Sequence, residues 1–121
     1  MYVVRDGEVD YRRIKSVQGL ATKGDIKVKP MYGGENMVMI KMHLPPGSGS
    51  PPHTHEHESL CYVVQGKVQV VIEDETHVLE AGDVCRHPEG VVHGIQGLED
   101  SIVLEIKSPA QPLEQFLATG E

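Results

Sequence analysis

Apolar residues in this chain recur at every second position rather than every third or fourth, and glycines and prolines interrupt the pattern about every ten residues. That rhythm predicts short strands joined by turns. Val38, Ile40, Met42 and Leu44 mark one face of a strand whose other face carries Lys41 and His43. Four prolines, with Gly47, Ser48, Gly49 and Ser50 among them, predict a loop over residues 45–52, because proline supplies no backbone donor. A strand over residues 53–64 follows and turns at Gln65-Gly66-Lys67 into a partner over 68–72, with glycine where a positive φ is needed. After a turn at Glu73-Asp74-Glu75 comes a short strand through Val78 and Leu79; the chain then passes through residues 84–87, the turn Pro88-Glu89-Gly90 and residues 91–95 to a last clear strand over 101–106. Residues 25–28 are an expected edge strand, and residues 1–20 read equally as strand or arm. Residues 112–118 are expected to form one or two helical turns. No segment repeats and no low-complexity linker divides the chain, so residues 1–121 are expected to form one all-β domain, a sandwich or barrel.

Composition narrows the interior and the partners. With one phenylalanine, four tyrosines and no tryptophan, the core must be filled by Val, Ile, Leu and Met. A formal charge of −7 disfavours nucleic acid, whose phosphates need a surplus of Lys and Arg. No apolar run approaches the ~20 residues that a membrane-spanning helix requires. The first residues lack a basic start followed by an apolar run, so a cytoplasmic protein is expected by default. Cys61 and Cys85 are expected as buried free thiols, since a domain of this size can form a core without a bridge.

The candidate chemistry lies in histidines. His53, His55 and His57 sit at spacings of two, and in a strand such residues project from one face. A row of buried imidazoles is costly without partners, and protonating it would bring like charges together. A divalent transition metal such as Fe, Mn, Ni or Zn relieves both costs if a further ligand, His93, arrives from another strand. Taken alone, the tract His-Thr-His-Glu-His-Glu could equally be a polar surface stretch.

The wider spacing favours the metal. Gly47, His53, His55 and Gly66 are followed by Gly82, Pro88, Gly90 and His93, with intervals that resemble the two motifs of the cupin superfamily. Those motifs read G-x5-H-x-H-x3,4-E-x6-G and G-x5-P-x-G-x2-H-x3-N, and here they fall on residues 47–66 and 82–97. The resemblance implies a double-stranded β-helix, or jelly-roll, barrel with His53, His55 and His93 as metal ligands. Two positions depart from it: Ser59 stands where the first motif has its carboxylate, and Gly97 where the second has asparagine. The fourth contact could come from His57, from Glu58, or from water. Three histidines plus solvent is the favoured arrangement, with His57 beside the ion and available to move a proton.

The resemblance implies a menu that includes dioxygenases, decarboxylases, sugar isomerases, lyases and plain ligand binders. The segment from Lys107-Ser108-Pro109 to Phe116-Leu117 is similar to the tail of small cupins that process unsaturated uronates, which carry glutamine where Ser59 stands here. The expected function is a metal-dependent enzyme on a small oxygen-rich molecule, such as a keto acid, a diketone or a sugar acid. The alternative is a non-catalytic binding or sensor module. A homodimer paired through sheet edges is expected in either case. His87 is expected on an exposed loop, with the alternative that it lines the barrel mouth and donates to a substrate; His77 is expected on a solvated strand, and His43 facing solvent or a subunit partner. Tyr62, Met37, Met39 and Met42 are expected as core or dimer contacts. Asp83 is expected to satisfy the backbone of its own turn.

Overall fold

Alternating patterns of this kind need two sheets to bury their apolar faces, and the computed structural model, which describes residues 2–113, has that form. Strands run in the order β1 (Arg12–Arg13), β2 (Ser16–Val17), β3 (Leu20–Ala21), β4 (Lys27–Gly33), β5 (Val38–Leu44), β6 (Gly49–His53) and β7 (Glu58–Gln65). They continue with β8 (Lys67–Ile72), β9 (Glu75–Glu80), β10 (Val84–His87), β11 (His93–Gly97) and β12 (Ser101–Ser108). A six-stranded sheet is ordered β1-β4-β5-β12-β7-β10, a four-stranded sheet β6-β11-β8-β9, and β2 and β3 form a small hairpin. The pairings are antiparallel.

The core is the branched aliphatic interior that the composition demands. Val28, Ile40, Leu44, Val63 and Val103 face inward from the larger sheet and meet Val68, Val70 and Ile95 from the smaller. Gly66 turns β7 into β8 at a φ of 88°, and a Cβ there would collide with Ser101 and the Asp100 carbonyl, so no other residue fits. Asp83 accepts from the Glu80 amide at 2.8 Å, closing its own turn as expected. Cys61 and Cys85 are free thiols directly opposite each other on β7 and β10, the first buried and the second half-buried.

Four expectations change. The proline segment is not wholly loop, because Gly49–His53 forms β6. That strand lies at an edge of its sheet, where a missing proline N–H costs no ladder bond. The strand expected over 53–64 is interrupted at residues 54–57, where the chain leaves the four-stranded sheet after β6 and enters the six-stranded sheet at β7. The alternation continued through that corner because both halves border the same interior. The expected edge strand over 25–28 is β4, beginning at Lys27, and β1 covers its outer edge through Arg12 opposite Val28. Finally, His87 is 2% exposed and closes β10, so the exposed-loop reading is wrong. The helical turns expected over 112–118 lie almost entirely outside the described residues.

Candidate metal centre

β6 ends on His53 and β11 begins on His93, and antiparallel pairing sets these two residues directly opposite each other. Their ring centroids are 4.5 Å apart. His55 lies in the corner segment, and its ring centroid is 4.6 Å from that of His53 and 5.3 Å from that of His93. One nitrogen from each of the three rings lies within 4.8 Å of the other two. The three therefore converge, although a corner between sheets achieves this and a common strand face does not.

The unused nitrogens are tied down. His53 Nδ1–H donates to the Pro51 carbonyl at 2.6 Å, and His93 Nδ1–H donates to the Val91 carbonyl at 3.1 Å. A carbonyl only accepts, so both rings carry their proton on Nδ1 and present the Nε2 lone pair. His55 Nδ1 instead meets the side-chain amide nitrogen of Gln18 at 3.1 Å. Burial pushes the His53 ring down from its ordinary value; burial, then the Lys107 charge, pushes His55 to about 2; burial and His87 push His93 to about 4. The rings are therefore neutral at neutral pH. Three neutral imidazole donors, held in orientation by outer partners, suit a divalent transition ion.

His57 stands apart from that cluster. Its ring stacks on His55 at 4.5 Å, and its Nε2 accepts from Lys107 Nζ at 3.2 Å. Lys107 also pairs with Glu105 at 3.3 Å, and both side chains are buried. Burial alone would raise the Glu105 carboxyl, but Lys107 and His87 hold it down at about 2. These groups line a cavity of about 520 Å³, whose lining also includes the apolar Ile26, Val28, Ile40 and Met42.

Both departures from the motif now have causes. Ser59 directs its hydroxyl to His87 Nδ1 at 3.1 Å, and the His87 ring lies parallel to His93 at 4.2 Å. The position of the usual carboxylate thus supports a buried histidine behind the cluster. At Gly97 a Cβ would lie 2.9 Å from the Pro45 carbonyl oxygen and 3.0 Å from that of Leu44, which leaves no room for asparagine.

Sequence reasoning missed Glu105, Lys107 and Gln18, and set His87 at the barrel mouth only as the less favoured alternative. The signal for the first two was their two-residue spacing from Val103; for His87 it was the matching two-residue spacings Ser59-Cys61 and Cys85-His87. Nothing local marked Gln18. His77 pairs with Glu75 on an exposed strand, and His43 lies 2.7 Å from Asp100 Oδ1. Tyr62 and Met37 are exposed, while Met42 packs on the core.

Comparison with known proteins agrees with this architecture. A model of the cupin domain matches residues 40–106. The pectin degradation protein KdgF of Dickeya dadantii is 33% identical over 86 residues, which cover 69% of this chain and 78% of that protein. The oxalate-binding protein of Thermotoga maritima is 31% identical over 100 residues, covering 78% of this chain and 81% of that one. The structure of KdgF from a Halomonas species superposes with a TM-score of 0.76 at 29% identity, covering 88% of this chain and 92% of its own. With both motifs in order, two facing antiparallel sheets and a matching family model over most of the barrel, the chain belongs to the cupin family and has its jelly-roll fold.

Proposed function

We propose that this cupin is a metal-dependent enzyme in which His53, His55 and His93 hold a divalent transition ion (Fe, Mn, Ni or Zn) against a small oxygen-rich acid. The observation that carries this reading is the convergence of three neutral imidazole nitrogens within 4.8 Å at the wall of a cavity that also holds a buried lysine. The relatives named for pectin degradation and oxalate binding support an acidic ligand.

When bound, such an ion supplies Lewis-acid polarisation of a substrate oxygen or of water. The rest falls to the chain's own groups. Pro51 and Val91 keep two Nε2 lone pairs aimed inward. Lys107 places a positive charge in the cavity and, by donating to His57 Nε2, keeps that ring neutral with its proton on Nδ1. With its Nε2 released from Lys107, His57 is the group beside the centre that can take a proton and return it. Isomerase, lyase and dioxygenase chemistry all use these parts.

The test is metal analysis of untagged protein, followed by turnover of keto acids, diketones and sugar acids with and without the ion. Binding without product would favour the second reading, a ligand-binding module, to which the likeness to an oxalate-binding protein lends support. Absence of metal uptake would overturn the metal-dependent enzyme reading.

A homodimer also belongs to this proposal. Leu60, Tyr62, Val64 and Val84 expose an apolar patch on the outer face of the six-stranded sheet, with the Arg86–Glu58 ion pair on neighbouring positions. A second copy of the chain is its proposed occupant, with the charged pair available at the rim. Light scattering checks it, and a monomer at micromolar concentration would refute it.

A further inference from the structure

We propose that the ligand of this site is an amphipathic monocarboxylate, a 2-oxo acid with an alkyl or aryl body, rather than a dicarboxylate or a polyhydroxylated sugar acid. The inference rests on the reading of the site given above and narrows it. The cavity lining is of two unlike kinds that adjoin on the larger sheet, where Glu105 lies opposite Ile40: His55, His57, Glu105 and Lys107 are polar, while Val17, Ile26, Val28, Ile40 and Met42 make an aliphatic wall. Lys107 is 4% exposed and already paired with Glu105 at 3.3 Å, so a ligand carboxylate reaching it must share its charge with Glu105, which leaves the cavity suited to one carboxylate and not to two. Ser59 replaces a carboxylate at the motif position, which leaves a metal-loaded centre one charge more positive and favours an anion. Exposed Glu56 and Glu89 border the same cavity and oppose a second carboxylate. Hydroxyls laid on the aliphatic wall would lose water without gaining partners. At about 520 Å³ the cavity is also far larger than a two-carbon diacid fills.

Calorimetric titration of the full chain, with and without bound Zn(II), against 4-methyl-2-oxopentanoate, pyruvate, oxalate and galacturonate tests this. Each methylene buried on the aliphatic wall is worth about fourfold, so the branched acid, with three more carbons, should bind up to about sixtyfold tighter than pyruvate. Lys107→Met should weaken both acids together, and Val17→Ser should reduce the preference between them. Oxalate or galacturonate binding as tightly as the branched acid would overturn the proposal. Failure to bind Zn(II) would instead overturn the metal reading, while the order of affinities in the metal-free chain would still decide this one.

A separate observation assigns a role to Gln18. It occupies the first position of the two-residue turn between β2 and β3 at a φ of 53°, followed by Gly19 at 76°. That left-handed conformation favours glycine or asparagine, so glutamine there carries a strain that a backbone role alone does not explain. Its side chain reaches the His55 ring 37 residues away. His53 and His93 have backbone carbonyls for partners, whereas His55 has this amide. We infer that Gln18 is a positioning residue that serves both neutral forms of His55. Its NH2 group donates to Nδ1 when the proton sits on Nε2. Turned over, its carbonyl accepts from Nδ1–H and frees Nε2 for a cation, with no net change in protons.

Two variants test this by Zn(II) titration, melting temperature and nitrogen NMR of the imidazoles. Gln18→Gly should raise or preserve the melting temperature of the metal-free chain yet weaken Zn(II) about tenfold. Gln18→Glu, which can only accept, should move the metal-free His55 proton to Nδ1 and restore or exceed the original affinity. An unchanged His55 proton position in Gln18→Glu, or unchanged Zn(II) affinity in Gln18→Gly, would overturn the assignment.

Discussion

Facing inward, β12 carries Ser101, Val103, Glu105 and Lys107; facing outward it carries Ile102, Leu104 and Ile106. Its neighbour β7 is similar, with Ser59, Cys61 and Val63 inside and Leu60, Tyr62 and Val64 outside. By contrast, β8 of the smaller sheet follows hydropathy: Val68 and Val70 are buried, and Lys67 and Gln69 lie between them only partly exposed. An antiparallel sheet with one wet face should carry its apolar residues toward the core. On β7 and β12 the inner surface mixes the core residues Cys61, Val63 and Val103 with the polar Ser59, Glu105 and Lys107 at the site, while the outer surface has the composition of a covered face.

The largest effect expected from breaking that contrast comes from the buried charges. Glu105→Ala would leave the Lys107 ammonium unpaired and should cost about 3–5 kcal/mol in urea unfolding. The double change Glu105→Leu with Lys107→Met should be near neutral for stability while abolishing acid binding. If the double variant is as unstable as the single one, the pair serves the fold and the contrast loses its functional meaning.

His55→Ala should weaken metal binding by on the order of 100-fold or more, beyond the loss of an outer partner, while circular dichroism stays that of the parent. His57→Ala should lower turnover more than metal affinity. Equal loss of metal from both would place His57 on the ion.

Acid comes next in size. His53, His55, His57 and His93 have folded values depressed below the ordinary 6.5, so the unfolded chain binds protons that the folded one refuses. Stability of the metal-free protein is therefore full above about pH 6.5 and falls as the pH drops through 4, at most about 1.4 kcal/mol per pH unit for each histidine. Glu105 acts in the same direction below its ordinary value of 4.5. Thermal melts across pH 4–7 check the sign, and a rise toward acid would contradict it.

The smallest effect on the single chain is expected outside. Tyr62→Gln should change unfolding by no more than about 0.5 kcal/mol yet shift the light-scattering mass from dimer to monomer. A dimer that survives this change would move the contact off that face.

How much was legible depends on the range of the signal. His53, His55 and His93 were readable because motif spacing and turn glycines are local properties, and the chain has little freedom between Gly82, Pro88 and Gly90. His87 was misread because no local pattern gave its side chain a face or a partner, whereas cross-strand register places it opposite Ser59.

The amino-acid sequence by itself determined a β-rich chain of alternating aliphatics and the cupin motifs that carry the three histidines, since period-two patterning and turn chemistry act over a few residues, whereas their convergence needed the corner between the sheets. Only the tertiary structure decided which face of β12 turns inward, that Lys107 reaches His57 across 50 residues, and that Gln18 reaches His55 across 37. A strand has two faces, and hydropathy cannot choose between them when one covers a polar cavity and the other an apolar contact; packing of the second sheet makes that choice.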